Sequence, residues 1–312
     1  MVIALVFAVL CGFVALAVDI GHVVMVKAEL QRTADAGALA GVAGLAPYTG
    51  NPPAPYWFGG QTAAKNIVND INNKADNQQF SIAISDVIAG YWKLNPQGQS
   101  QTLPQSRPST TYIPEPAIQV TLTRSVTLRF APVIGINNVQ NVTATATAIL
   151  PEANSIATGA FAMAVEKVIV EDSSTHKIIL TPQDFGWHDH GQWYTTVDAQ
   201  HQPPADGNND VPTIRKNIPI QDGAQIWIAP GSMNTLYPLI TPYQTIIVPV
   251  VDSTNQKKWQ TICGFAAFYI TAVVQNSIEG HFVGKYFSPS GVPGAWDPAN
   301  YGVWGTPKLV GP

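Results

Sequence analysis

MVIALVFAVLCGFVALAVDIGHVVMVKAELQRTADAGALAGVAGLA, Met1 to Ala46, is the stretch whose reading decides the fold. Met1 to Val18 carry no charged side chain. At about 1.5 Å per residue in an α-helix they extend roughly 27 Å, close to the hydrocarbon thickness of a bilayer. After Asp19 the character changes without a helix breaker: Lys27, Glu29, Arg32 and Asp35 enter, and small residues accumulate from Ala34 to Gly44. No proline occurs before Pro47. The stretch therefore predicts one continuous helix of about 45 residues, roughly 65 to 70 Å long, with an apolar first half and a small-residue second half.

Gly37 and Gly41 stand four apart and, with Ala34, give the second half a face that another helix can approach closely. Glu29 and Arg32 can pair along the helix surface, but packing outweighs charge here. A helix of this length serves either as a membrane anchor or as one member of a bundle in a filament core. A cleaved signal peptide fits less well, because its apolar run is shorter and is not continued helically. A helix inserted with a cytoplasmic N-terminus has basic residues ahead of its apolar run, yet the first here is Lys27. That order predicts a basic leader ahead of Met1, either absent from this sequence or removed by a peptidase. Asp19 closes the apolar run, and a carboxylate there either fixes the axial register of neighbouring helices or marks the membrane surface.

Beyond the helix, the 312-residue chain has room for two domains. Only 12% of residues are charged and the net charge is -4, which excludes an electrostatic footprint for nucleic acid. With 25 Gly and 25 Pro, the composition predicts loop-rich β-structure. Pro47 to Pro55 reads as a linker, and apolar residues from Ala63 to Ile71 predict a short amphipathic helix within Gln61 to Asp76. Phe80 to Ala89 alternates as a strand. Three further strands follow around Ile118 to Leu122, Val126 to Phe130 and Val139 to Ala148. Ala157 to Val170 reads as strand or short helix, and Lys177 to Leu180, Gln225 to Ala229, Thr245 to Val251 and Thr261 to Val274 as strands. The expected class is α+β: a helix over 1–46, a first α+β domain over 47–151, a second β-rich domain over 152–287 and a Pro/Gly/Trp-rich tail over 288–312.

Several passages carry a family resemblance. Ala17-Val18-Asp19-Ile20-Gly21, followed by Leu30-Gln31-Arg32-Thr33-Ala34-Asp35-Ala36-Gly37-Ala38-Leu39-Ala40-Gly41, resembles the signature of TadE/TadG-like proteins of tight-adherence (Flp-type) pilus systems. Val126 to Ile136 with the Ala/Thr run Val142 to Leu150 is similar to a strand of that family. Phe185-Gly186-Trp187, Ile228-Ala229-Pro230-Gly231 and Val248-Pro249-Val250-Val251-Asp252 with Gly264-Phe265-Ala266-Ala267-Phe268 resemble its longer, TadG-like members. The resemblance implies an envelope-associated, non-enzymatic, pseudopilin-like protein built on one N-terminal helix. Counted from Met1, position 5 is Leu5, where type IV pilins generally carry Glu.

Little in the chain asks for chemistry. His188-Asp189-His190 would place both imidazoles on one face of a strand, as two metal ligands require, but no third ligand stands at a zinc-type spacing. A solvated loop is the better reading. Asp206, Asn208 and Asp210 offer oxygens at alternate positions, as a calcium loop begins, without the later bidentate Glu. Asp184-Phe185-Gly186 lacks the companions of a kinase site, and no Cys-x-x-Cys-His holds a haem. Cys11 and Cys263 lie in apolar runs and read as buried, unbridged thiols. Trp296, Tyr301 and Trp304 in the tail read as aromatic anchors for a groove on this chain or on a neighbour.

The sequence thus predicts a structural subunit of an extracellular filament. It is inserted in the inner membrane before assembly and partnered by copies of itself and by pilus assembly machinery, with no cofactor beyond a candidate calcium. A membrane-anchored accessory protein that does not polymerise, or a calcium-dependent adhesin, are the alternatives.

Overall fold

The computed structural model describes residues 2–46, 55–70, 81–92, 103–106, 115–135, 139–157, 160–172, 178–181, 191–196, 220–229, 237–255, 258–275, 277–288, 291–294 and 301–310. The class is α+β, and two compact units divide the chain. The first holds Met1–Leu45, Tyr56–Ile149 and Pro307–Pro312, and the second Ala46–Pro55 and Leu150–Thr306.

The first unit is organised by α1, Val2–Ala43, which runs unbroken as the absence of Pro and the Ala/Leu/Val content dictate. Beside it lies α2, Trp57–Asp70, which starts four residues before the predicted amphipathic helix. Both pack on a four-stranded sheet of order β1 (Val87–Trp92), β2 (Glu115–Thr127), β3 (Val139–Ile149) and β16 (Lys308–Val310), antiparallel throughout.

Two expectations change here. The strand predicted from Phe80 begins at Val87, after a 3-10 turn over Ile84–Asp86; Phe80 itself lies outside the described residues. The two strands expected between Ile118 and Phe130 are one, since Thr123-Arg124-Ser125 contains no Gly, Pro, Asn or Asp and stays extended. Its continuity is secured from across the sheet. Thr123 hydrogen-bonds Thr143 at 3.0 Å, Thr121 hydrogen-bonds Thr145 at 3.1 Å, and Ser125 donates to Asn141 at 2.7 Å. Such cross-strand pairs contribute roughly 0.2 to 1 kcal/mol each.

Alternation sorts this sheet into two faces. Val120, Leu122, Val126, Val142, Ala144, Ala146 and Ala148 are buried on the face that meets α1. The opposite face carries the hydroxyl pairs. Toward the other end of the sheet Trp92, Ala117 and Ile149 form a small apolar cluster closed by Leu103 and Val310, so the last strand covers residues that the hairpin alone would leave wet.

In the second unit, β5 (Met163–Glu166), β7 (Gly191–Thr196), β9 (Gln225–Ile228), β10 (Thr245–Val251) and β11 (Lys258–Val274) form a ring, because β10 pairs with both β5 and β11. The 17-residue β11 is shared among three partners, and β12 (Ser277–Val283) and β6 (Ile178–Leu180) extend the sheet from it. The mixed run after Ala157 resolves into both options it allowed, β5 followed by α3 (Lys167–Asp172). Two cores lie on opposite faces of these strands. One contains Met163, Trp193, Val248, Val250 and Phe268, and the other Ala164, Tyr194, Ile226, Ile228 and Phe265. A third sheet joins β13 (Tyr286–Phe287), β15 (Val303–Trp304), β4 (Glu152–Ile156) and β14 (Gly291–Gly294), with β8 (Ile220–Gln221) on β4.

Candidate functional site

The two halves of α1 differ in what surrounds them. From Val26 onward the buried positions fall on two adjacent rows, Val26, Leu30, Ala34, Ala38 and Val42 beside Thr33, Gly37, Gly41 and Leu45. Four-residue steps keep such a row on one slowly turning face, so the helix offers its own sheet and α2 one continuous seam. The side chains available there are small because the backbones are close. A Cβ on Gly41 would stand 2.7 Å from Ile118 Cγ2 and 3.2 Å from the Gly60 carbonyl oxygen, and one on Gly37 2.6 Å from Val68 Cγ2. Ala34 is fully buried in the same seam. The helix that approaches this small-residue face is therefore α2 of the same chain.

N-terminal to this seam the helix is bare. Val2, Ile3, Val6, Phe7, Val9, Leu10, Phe13, Val14 and Val18 are each at least half exposed, and Cys11, expected to be buried, is exposed among them. The helix is long and apolar enough to cross a membrane.

Asp19 marks the joint between the halves. It is 3% exposed. One carboxylate oxygen accepts the Arg129 N–H at 3.0 Å, and the other accepts those of Phe130 and Ala131 at 2.9 and 2.7 Å. These donors open the 3-10 turn Ala131–Ile134 between β2 and β3, where the first amides of a helical turn have no partner within it. A charged acceptor shared by three amides is a strong interaction. Asp19 thus ties the hairpin to the helix, a role that neither the register nor the membrane-surface reading contained. No local signal reveals it, since the donors lie 110 to 112 residues away.

Other candidates are placed differently. Trp304 is 1% exposed in β15. Tyr301 is half-buried against the core around Phe268. Trp296, His188, His190, Asp206, Asn208 and Asp210 lie outside the described residues. Among the described residues no cluster of three His, Cys, Asp or Glu side chains is arranged to hold a metal. Both cysteines are free, and Cys263 is half-buried with its thiol donating to the Val250 carbonyl at 3.2 Å.

Residues 1–44 match the family described as putative Flp pilus-assembly TadE/G-like, and residues 40–149 match the one described as putative Tad-like Flp pilus-assembly. Together the two matches cover residues 1–149, and this part of the chain is similar to Tad-like Flp pilus-assembly proteins. No curated protein and no solved structure matches the chain. The Tad matches end at the last residue of β3, and with Tyr56–Ile149 and the helix they span most of the first unit. Both matches are to pilus-assembly families, and α1 is long and apolar enough to cross a membrane.

Proposed function

We propose that this Tad-like chain is a non-enzymatic structural subunit of an extracellular filament. The apolar half of α1 packs with copies of itself in the filament core, and the β-rich units lie outside. The observation that carries the reading is the contrast along α1: from Val26 onward the helix is seated in its own unit, while the apolar side chains described N-terminal to it are largely exposed. Held in the inner membrane before assembly, that half would exchange lipid for sibling helices. Burial in either setting keeps it from water at roughly 25 cal/mol per Å².

The test is electron microscopy and mass analysis of sheared surface material. Regular fibres containing the 33.4 kDa chain as their main component are expected. Its absence from fibres, with the chain retained in the membrane, would establish the accessory role instead. One observation favours that second reading. Asp19 is already engaged by its own turn, so the apolar half has no charged side chain with which to set the register of neighbours. Calcium at Asp206, Asn208 and Asp210 remains a separate proposal, tested by calcium titration of the purified chain, with no heat of binding as the refuting result.

A further inference from the structure

The turn that Asp19 holds has an unusual surface. Phe130 is 43% exposed and Val133 is 85% exposed, on either side of the exposed Pro132, and Arg129 beside them is exposed as well. A hairpin tip in water is ordinarily built from Gly, Asn, Asp and Ser. The described part of this connection reads Phe130-Ala131-Pro132-Val133-Ile134, bent back by Gly135 at a φ of 82°, ahead of Ile136-Asn137-Asn138 in the sequence.

Its position along the helix is fixed within the first unit. Ile118 lies at Gly41 and Val120 at Gly37, so β2 runs antiparallel to α1. From Gly41 back to Asp19 is roughly 33 Å of helix, and from Ile118 on to Arg129 is roughly 36 Å of strand. The hairpin therefore follows the helix over its whole seated half. It ends level with Asp19, within the exposed apolar stretch of the helix, which reaches Val24 and Met25.

We infer that the Phe130–Val133 turn is a second membrane contact, which rests in the headgroup and acyl-chain boundary of the bilayer that α1 enters. The inference rests on the anchoring of α1, common to both functional readings, and not on polymerisation. Continuity argues for lipid as the occupant: the exposed apolar residues of the turn lie level with exposed apolar residues of the helix, Val18 and Ile20 beside Asp19. The flanking charge agrees. Arg129 at the turn and Lys27 two helical turns beyond Asp19 are exposed cations at the depth of anionic headgroups. Seated this way, the turn lets Asp19 stay covered at the membrane boundary, because its three amide partners arrive with it. It also sets the depth of the span at the Val18–Asp19 junction.

The test uses the full chain with Cys11→Ser and Cys263→Ser, reconstituted in vesicles of phosphatidylcholine and phosphatidylglycerol. A nitroxide is placed in turn at Val133→Cys, Phe130→Cys, Phe13→Cys and Thr123→Cys, and collision with oxygen is compared with collision with a water-soluble nickel chelate. Labels at 133 and 130 are expected to favour oxygen at a shallow depth, the label at 13 at full depth, and that at 123 to read as aqueous. A lipid-exposed label at 13 with labels at 133 and 130 as aqueous as that at 123 overturns the inference and leaves the anchoring intact. An aqueous label at 13 overturns the anchoring and the inference together. Protection of 133 that appears only at high protein-to-lipid ratio, with spin–spin broadening, assigns the turn to a neighbouring copy and equally overturns it.

Discussion

Asp19 shows how one side chain can define two halves of a helix. Its two oxygens accept three backbone amides, a demand that a carboxylate meets and an amide does not. In Asp19→Asn the side-chain NH2 would face amide donors, so the 129–131 turn is expected to come away from the helix. Hydrogen exchange at those three amides should accelerate, with amides of the second unit unchanged; unaltered exchange at 129–131 would contradict the tether. Glu115 titrates in the opposite sense to an ordinary paired carboxylate. Burial pushes its carboxyl above the usual value of 4.5, and the nearby Lys308 offsets this only in part. The native state then holds this proton more tightly than the unfolded chain. Its stabilisation is full below about pH 4.5 and is lost as pH rises through the raised value. Glu115→Gln should remove that decline and leave the protein more stable than wild type at neutral pH, read from thermal unfolding between about pH 4 and pH 7.

At the scale of the element, α1 was legible because its signals are local: no proline, an uncharged run to Val18 and small residues afterwards. What occupied the small-residue face was not legible. Gly37 and Gly41 announce close approach, but the backbone that arrives, α2 with Val68 and Ala64, is selected by tertiary packing. The merging of two expected strands into β2 has the same origin, since Thr123 and Ser125 are held extended by Thr143 and Asn141, which no window around residue 124 contains. Seated contacts of this kind make a sharp prediction. Gly41→Leu would drive a Cβ to 2.7 Å from Ile118 and 3.0 Å from Ala64, and overpacking of this sort costs about 1 to 3 kcal/mol. Denaturant unfolding of the detergent-solubilised chain should show that loss in the first unit while membrane insertion of α1 persists. Wild-type stability of the variant would mean that the seam is looser than the structure places it.

For the whole molecule, the question is what covers Met1 to Val18, and the chain contains its own pair of reporters. Cys11 is exposed on the bare half, whereas Cys263 is half-buried in the second unit, where burial, with Asp252 adding to it, pushes its thiol up. A thiol held protonated is a poor nucleophile, so Cys263 should react slowly with maleimide while the second unit is folded and act there as an internal reference. Lipid and sibling helices would both shield Cys11 from a water-soluble reagent, so protection in intact membranes separates nothing. A mild detergent separates the two cases, because it replaces lipid around a single helix but does not enter a packed bundle that stays assembled. If the chain polymerises, Cys11 in sheared, detergent-washed material should remain unmodified until the fibres are dissociated by denaturant. If the chain is a solitary anchor, Cys11 should label as soon as detergent disperses the membrane. The comparison holds whichever way the units pack in a fibre, because it depends only on the half of the helix that its own chain leaves uncovered.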